Sequence, residues 1–136
     1  QGADYIPLTQ LLKTSDVVAI CCPLTSETYH LIDTSELAMM KKDALLVNTG
    51  RGGVINEPAM ISALLEQRLG GVALDVVENE PIQLDDPIFQ LIHHPNFMLT
   101  PHVAWSSENA MQTLMDRAIA NIVEFVGSEN NVQMES

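Results

Sequence analysis

Apolar residues gather in four short segments along the first hundred residues of this chain, at positions 17–21, 44–48, 72–76 and 97–100. The first segment, Val-Val-Ala-Ile-Cys, does not alternate between apolar and polar side chains. A continuous apolar run of this length is typical of a strand that is covered on both faces. We therefore predict four short strands, the first of them buried on both sides.

Capping residues and helical spacing predict helices between these strands. Asp33 has Glu36 three positions later, a capping-box pattern that begins a short helix. Asn56 is the predicted N-cap of a second helix. The Gly70-Gly71 pair is predicted to end that helix. Its apolar stripe consists of Ile61, Leu64, Leu65 and Leu69.

The longest helix is predicted near the end of the chain. It begins at Ser106 or Ser107 and is predicted to end at Gly127. Its apolar residues repeat at helical spacing, and they are Met111, Leu114, Met115, Ala118, Ile119, Ile122, Val123 and Val126. Residues 88–92 are predicted to form a short helical turn. We expect the polar tail 128–136 to be disordered.

Strands that alternate with helices indicate an α/β fold with a parallel sheet, because parallel strands need crossover connections. A chain of 136 residues has the size of one ordinary domain, which we place at residues 1–127. Ligands of such sheets bind beyond the carboxyl ends of the strands. Functional side chains are therefore expected where the strands end.

The amino-acid composition limits the kinds of partner that the protein is expected to bind. Of the residues, 46% are hydrophobic, and the formal net charge is −12. This acidic balance argues against nucleic acid and anionic membranes, which require a basic footprint. No apolar run approaches the roughly 20 residues that span a bilayer. Cys21 and Cys22 are adjacent, so we expect them to be reduced thiols in a soluble, cytoplasmic protein.

Three segments with candidate chemistry follow the second, third and fourth predicted strands. They are Asn-Thr-Gly-Arg-Gly-Gly at 48–53, Asp-Val-Val-Glu-Asn-Glu-Pro at 75–81 and Thr-Pro-His-Val-Ala-Trp at 100–105. Arg51 can bind an anionic substrate through two parallel hydrogen bonds. A carboxylate of the second segment, Glu78 or Glu80, can stabilise the charged form of an imidazole. With that support, His102 can act as a general acid.

Each of these residues also has a structural interpretation. Arg51 by itself is equally consistent with a turn residue paired to a surface acid, and a carboxylate before proline is usually only solvated. A lone histidine is more often structural than catalytic. The joint placement at neighbouring strand ends favours the functional interpretation. His93 and His94 lack the usual ligand spacing, so no metal site is predicted.

The three segments, in this order and context, resemble those of the D-isomer-specific 2-hydroxyacid dehydrogenases, which are NAD-dependent. The resemblance extends roughly from Leu11 to Gly127. It implies the second half of a Rossmann-type NAD-binding domain, which is a partial doubly wound parallel sheet, with a long C-terminal helix. It implies Arg51, Glu80 and His102 as catalytic residues. Glu80 is selected because the family's catalytic glutamate directly precedes the proline.

The resemblance also implies a set of cofactor-proximal residues. Asp75 matches the aspartate that contacts the nicotinamide end of the cofactor. The other matching positions are Cys22, Pro23, Thr49, Gly50, Arg51, His102 and Ala104. Many of these contacts are expected to involve the backbone. Trp105 resembles members acting on glycerate and hydroxypyruvate, and also related corepressors, and a packing role for it is equally open.

The family's G-x-G-x-x-G phosphate turn has no counterpart here, since residues 50–53 lack a glycine at the last position of the motif. The substrate domain of the family is also absent from the sequence. We therefore expect the C-terminal portion of a dehydrogenase more than twice as long. Half of a doubly wound sheet should expose an unpaired edge and an apolar face.

The function implied by the resemblance is hydride transfer between NAD(H) and a small D-2-hydroxy or 2-keto acid in the intact parent protein. NADP as the cofactor is left open, and a homodimer is expected. Two alternatives remain. One is an NAD-sensing binding protein like the corepressors that share this fold, and the other is an inactive fragment.

Overall fold

The computed structural model describes the backbone of residues 2–132 and the side chains of residues 2–127. It contains two compact units, one that ends at His102 and one that begins at Val103. The helices of the first unit are Leu8–Thr14 (α1), Thr34–Met39 (α2) and Glu57–Leu65 (α3), with a 3₁₀ helix at Pro87–Leu91. Its strands are Val17–Ile20 (β1), Leu45–Asn48 (β2), Gly71–Leu74 (β3) and Phe97–Leu99 (β4).

The four strands form one parallel sheet in the order β1-β2-β3-β4. Val18 pairs with Leu46, Leu46 with Val72, and Val72 with Phe97. The predicted α/β fold with a parallel sheet is confirmed. Because all strands run in the same direction, their carboxyl ends lie along one edge of the sheet.

The helices of the first unit cover one face of the sheet. Leu12 of α1, Leu37 of α2 and Met60 of α3 join the inward side chains of the strands in one buried cluster. On the other face, Leu45 is 44% and Met98 is 62% exposed. The expectation of an exposed apolar face is confirmed.

Burial on both sides of β1 was predicted, and this prediction is wrong. Val17 is 54% exposed, whereas Val18 and Ile20 are buried, so burial alternates along the strand. An apolar residue on the open face has the same sequence signature as one beneath a helix, and the pattern alone cannot distinguish them. In the described chain β1 pairs only with β2 and is therefore an edge strand.

The helix starts follow the capping predictions. Asp33 and Glu36 form the predicted capping box at the start of α2. Asn56 Oδ1 accepts a hydrogen bond from the Ala59 N–H (3.2 Å) at the start of α3. The predicted turn at residues 88–92 corresponds to the 3₁₀ helix. α1 was not predicted, although it contributes the fully buried Leu12 to the core.

The predicted end of α3 at Gly70-Gly71 is wrong. The helix ends at Leu65, because Gln67 takes a left-handed backbone conformation with φ 55°. Gly70 instead lies where a Cβ atom would overlap the Asp43 backbone. Leu65 is 47% exposed and Leu69 lies beyond the helix, so the predicted apolar stripe is shorter than expected.

Up to residue 132, the second unit contains one helix, Glu108–Val132 (α4). Its start agrees with the prediction, since Ser107 Oγ accepts a hydrogen bond from the Ala110 N–H (3.3 Å). The predicted end at Gly127 is wrong, because the helix continues through it; a single glycine weakens a helix by about 1 kcal/mol without stopping it. Of the tail expected to be disordered, residues 128–132 belong to this helix, and 133–136 lie outside the described residues.

The apolar stripe of α4 is exposed, with Leu114 and Ile122 at 62% and 63%. Over residues 2–132, no helix combines the length and the apolar character that crossing a membrane requires.

Candidate active site

The turn after β2 is shaped by Asn48, the last residue of that strand. Its side chain is only 1% exposed. The Nδ2 amide donates to the Arg51 carbonyl (2.9 Å), and Oδ1 accepts from the Gly50 N–H (3.0 Å). Sequence reasoning assigned Asn48 no role. The available signal was an amide side chain ending an otherwise apolar strand, where burial demands hydrogen-bond partners.

Arg51 lies at the far side of this turn, and its guanidinium is exposed. Nη1 donates to the Gly50 carbonyl at 2.7 Å. Among the described side chains Arg51 forms no ion pair. A guanidinium without a carboxylate partner keeps its paired donors for an anionic ligand.

The turns after β1 and β2 are in direct backbone contact. A Cβ atom on Gly50 would lie 2.9 Å from the Cys22 carbonyl oxygen, so no side chain fits there without a shift. A cavity of about 610 Å³ opens beside this contact. It brings together five of the predicted cofactor-proximal residues, Cys22, Pro23, Thr49, Gly50 and Arg51. Cys21 and Cys22 are free thiols, as expected.

Glu80 and His102 form a direct contact beyond the ends of β3 and β4. Glu80 Oε2 lies 2.8 Å from His102 Nδ1, and Glu80 Oε1 accepts from the Val77 N–H (3.1 Å). The hydrogen bond with His102 is the main cause that lowers the pKa of Glu80 below 4.5. Burial opposes this shift, and the bond from Val77 adds to it. Glu80 is therefore ionised at neutral pH.

Glu78, the other candidate carboxylate, faces different residues. Its Oε1 accepts from the Tyr29 hydroxyl (3.0 Å), and its Oε2 lies 3.7 Å from His30 Nε2. Of the two carboxylates, Glu80 is the one that contacts His102. The catalytic roles themselves stay predictions.

His102 has a left-handed backbone conformation, with φ 54°. Its N–H donates to the Thr100 carbonyl (3.0 Å). A residue with a Cβ atom rarely adopts this conformation, and such residues occur often at functional sites. The tight turn after β4 brings the imidazole to Glu80.

Asp75 is buried directly after β3, with 5% exposure, and accepts a hydrogen bond from Thr100 Oγ1 at 2.5 Å. Asp75, Glu80, Thr100 and His102 line one cavity of about 500 Å³. Its apolar wall consists of Val77, Pro81, Ile82, Leu99 and Pro101. Arg51 lines the other cavity.

One further predicted residue, Ala104, does not line either of these cavities. Ala104 belongs to the second unit.

No group of three His, Cys, Asp or Glu side chains suited to a metal ion occurs in the described part of the chain.

The sequence profile of the D-isomer specific 2-hydroxyacid dehydrogenase NAD-binding domain matches residues 1–104. A glyoxylate reductase of Korarchaeum cryptofilum is 41% identical over 94% of this chain and 38% of its own length. A glycerate dehydrogenase of Methylorubrum extorquens is 41% identical over 93% of this chain and 40% of its own length.

Solved structures with a similar fold are also dehydrogenases of this kind. A D-lactate dehydrogenase from Aquifex aeolicus, solved with NAD and lactic acid, superposes with a TM-score of 0.83 at 29% identity. The superposition covers 93% of this chain and 42% of that enzyme. This likeness confirms the predicted Rossmann-type partial sheet.

The chain spans about two fifths of the length of the relatives that it matches. The family profile nevertheless covers most of its residues, including the turn with Arg51 and the Glu80–His102 pair. The chain therefore belongs to the D-isomer-specific 2-hydroxyacid dehydrogenase family, and residues 1–104 match its NAD-binding domain.

Proposed function

We propose that this chain provides the proton-transferring pair and part of the cofactor site of an NAD-dependent dehydrogenase. The enzyme interconverts a small D-2-hydroxy acid and the corresponding 2-keto acid. The observation that carries the proposal is the 2.8 Å contact between Glu80 Oε2 and His102 Nδ1 at a cavity beyond the strand ends.

His102 is the proton donor in the direction of reduction. The ionised Glu80 accepts the Nδ1–H, which orients the ring and stabilises the imidazolium. The proton passes from Nε2 to the carbonyl oxygen of the keto acid, which leaves a neutral imidazole and a hydroxyl group. In the oxidation, Nε2 takes this proton back. A nicotinamide cofactor held at this site would supply the hydride in the reduction and take it up in the oxidation.

Arg51 binds the substrate carboxylate. Arg51 is exposed, and its guanidinium donates to a neutral carbonyl and pairs with no carboxylate of the described residues, so its fork remains suited to a bidentate anion. Positive charge near the carbonyl also favours the negative charge that develops on its oxygen. The net charge of −12 makes such a local cation necessary for an anionic substrate.

The residues present fit a nicotinamide cofactor. The cleft at Cys22, Pro23, Thr49 and Gly50 is formed where two backbones meet at strand ends, the usual ligand position in a doubly wound sheet. Asp75 would contact the nicotinamide end as a buried acceptor. Ala104 completes the proposed set.

Three finer statements belong to this proposal. The protein acts in the cytoplasm, which its free cysteines support, and it binds neither nucleic acid nor membranes, which its acidic charge supports. It forms a homodimer, which the exposed apolar side chains support. Sedimentation analysis of the protein expressed from its complete gene would contradict the last statement by giving a monomer.

The test of the activity is NADH oxidation by the protein expressed from its complete gene, with glyoxylate, hydroxypyruvate and pyruvate as substrates. We expect turnover with at least one, and a D-configured product wherever the product is chiral. NADH binding without any turnover would favour the NAD-sensing alternative. Absence of both binding and turnover would favour an inactive fragment.

A further inference from the structure

Glu57 is a buried carboxylate outside both cavities. It lies at the start of α3 and is 8% exposed. Burial raises its pKa, while the hydrogen bond from the Glu78 backbone opposes that shift. Its Oε1 accepts this bond from the Glu78 N–H at 2.7 Å. A buried carboxylate carries a desolvation cost that an apolar residue would not have, so a specific contact is needed to offset it.

The peptide that Glu57 holds also contacts Gly52. A Cβ atom on Gly52 would overlap the Val77 carbonyl and crowd the Glu78 nitrogen. The segment from Gly52 to Glu57 therefore contacts the Val77–Glu78 peptide at two points, once through the Gly52 backbone and once through the Glu57 side chain. Arg51 precedes the first of these points by one residue, so the contact links the backbone of the Arg51 turn to the following loop.

The same loop continues directly to the catalytic pair. The Val77 N–H donates to Glu80 Oε1, and Glu80 Oε2 contacts His102 Nδ1. The Glu78 side chain is held by the Tyr29 hydroxyl at 3.0 Å. The Val77–Glu78 peptide is thus fixed by Glu57 of α3, and the N–H at the other end of Val77, which belongs to the preceding peptide, supports Glu80.

We infer that Glu57 is a positioning residue, which sets the Glu80–His102 contact and its place relative to the Arg51 turn by holding the Val77–Glu78 peptide. Its role in catalysis rests on the proposed function. The positional role does not, because it concerns contacts within this chain. Glutamate has the length to reach from the helix start to the Glu78 N–H, whereas aspartate is one methylene shorter.

The first test is the carboxyl titration of Glu80 in this 136-residue chain, followed by ¹³C NMR. In the original chain we expect a Glu80 pKa below 4.5. Glu57→Leu and Glu57→Asp should raise it, since the loop shifts and weakens the bonds that favour the carboxylate. Glu57→Gln keeps an acceptor of the same reach and should retain the low pKa.

Asn56→Ala is the matched control. It removes the N-cap of the same helix, at a cost of about 1 kcal/mol, without touching the held peptide. A pure loss of helix stability would therefore appear in this variant as well. A folded Glu57→Leu or Glu57→Asp protein with an unchanged Glu80 titration would overturn the inference. If the Glu57→Leu protein does not fold, the Glu80 titrations of Glu57→Asp and Glu57→Gln test the inference.

The second test measures keto-acid reduction by the protein expressed from its complete gene. Glu57→Asp should lower kcat by roughly tenfold, and at most on the order of 10²-fold, while NADH affinity is unchanged and Glu57→Gln recovers most of the activity. An unchanged kcat with a shifted Glu80 titration would refute the catalytic part alone. A parent protein without any turnover would refute the proposed function, and the titration would still test the positioning.

Discussion

The Glu80–His102 pair and the Arg51 turn are held in place to different degrees. Both Glu80 oxygens are engaged, one by the Val77 N–H and one by His102, and the left-handed backbone at His102 orients the ring. At Arg51 the backbone is equally well held, by Asn48. The Arg51 side chain, however, is exposed, and its guanidinium donates to the carbonyl of the preceding residue without an ion pair to any described carboxylate.

This difference separates two functions of a dehydrogenase site. A proton donor has to be oriented before the substrate arrives, because misplacement slows the chemical step directly. A substrate anchor can complete its geometry on binding, since the ligand itself supplies the missing carboxylate. We therefore expect changes at the pair to act mainly on kcat and changes at the anchor mainly on KM.

The largest effect is expected from removing the proton donor. His102→Ala should lower kcat by about 10²- to 10⁴-fold, the usual contribution of a general acid. NADH affinity, measured by fluorescence titration, should persist. His93→Ala, which alters an exposed histidine elsewhere in the first unit, should leave both quantities unchanged. Equal loss of NADH binding in the His102 variant would contradict its assignment as proton donor.

Replacing the anchor should have the next largest effect. Arg51→Lys keeps the charge but loses the planar fork, so KM for the keto acid should rise roughly 10- to 100-fold, the worth of a charged hydrogen bond. Arg68→Lys is the matched control, because Arg68 already pairs with Glu66 at 2.9 Å. If Arg51→Lys instead reduced kcat at unchanged KM, the division between anchor and proton donor would be wrong.

Replacing Asn48 tests whether the Arg51 turn can be disturbed while the Glu80–His102 contact stays intact. Asn48→Ala leaves the Gly50 N–H and the Arg51 carbonyl without their buried partner, which should cost about 1–3 kcal/mol of unfolding free energy. The Glu80 titration should stay unchanged. Val47→Ala on the same strand controls for lost packing, and urea denaturation measures both. A shifted Glu80 titration in the Asn48 variant would show that turn and pair are coupled.

The smallest effect concerns pH. The folded-state pKa of Glu80 lies below 4.5, so its contribution to stability is present above pH 4.5 and is lost as the pH falls through the folded value. Glu80 is 39% exposed, so solvent screening limits this contribution to at most about 1 kcal/mol. The stability difference between the original chain and Glu80→Gln should narrow in acid. A difference that is constant with pH would argue against the ionised pair.

Local sequence patterns predicted most of the fold. Four apolar runs predicted four strands because each run is short and bounded by turn residues, and Asp33 with Glu36 predicted the α2 start through a contact within one helical turn. The site predictions at Arg51, Glu80 and His102 rested on strand ends and on a family resemblance. The structure placed Glu80 against His102, and the resemblance had already preferred Glu80 to Glu78.

The errors arose where distant residues decide a local outcome. Gly70 was expected to end a helix, and its actual constraint is the close approach of the Asp43 backbone. The apolar β1 strand was expected to be buried on both faces, although the helices of the first unit cover only one face. Neither of these facts is encoded within a few residues of the position concerned.

The sequence by itself determined the order of the strands and of the helices other than α1, the parallel α/β fold and the segments that hold the candidate chemistry, because these follow from short-range periodicity and capping. Only the tertiary structure decided how the segments meet. Asn48 folding the Arg51 turn, Gly52 and Glu57 holding the Val77–Glu78 peptide, and Thr100 donating to Asp75 are contacts across turns or between different elements. Hydrogen bonding and close packing act through space, and residues 21 or 25 positions apart give no periodic signal of their proximity.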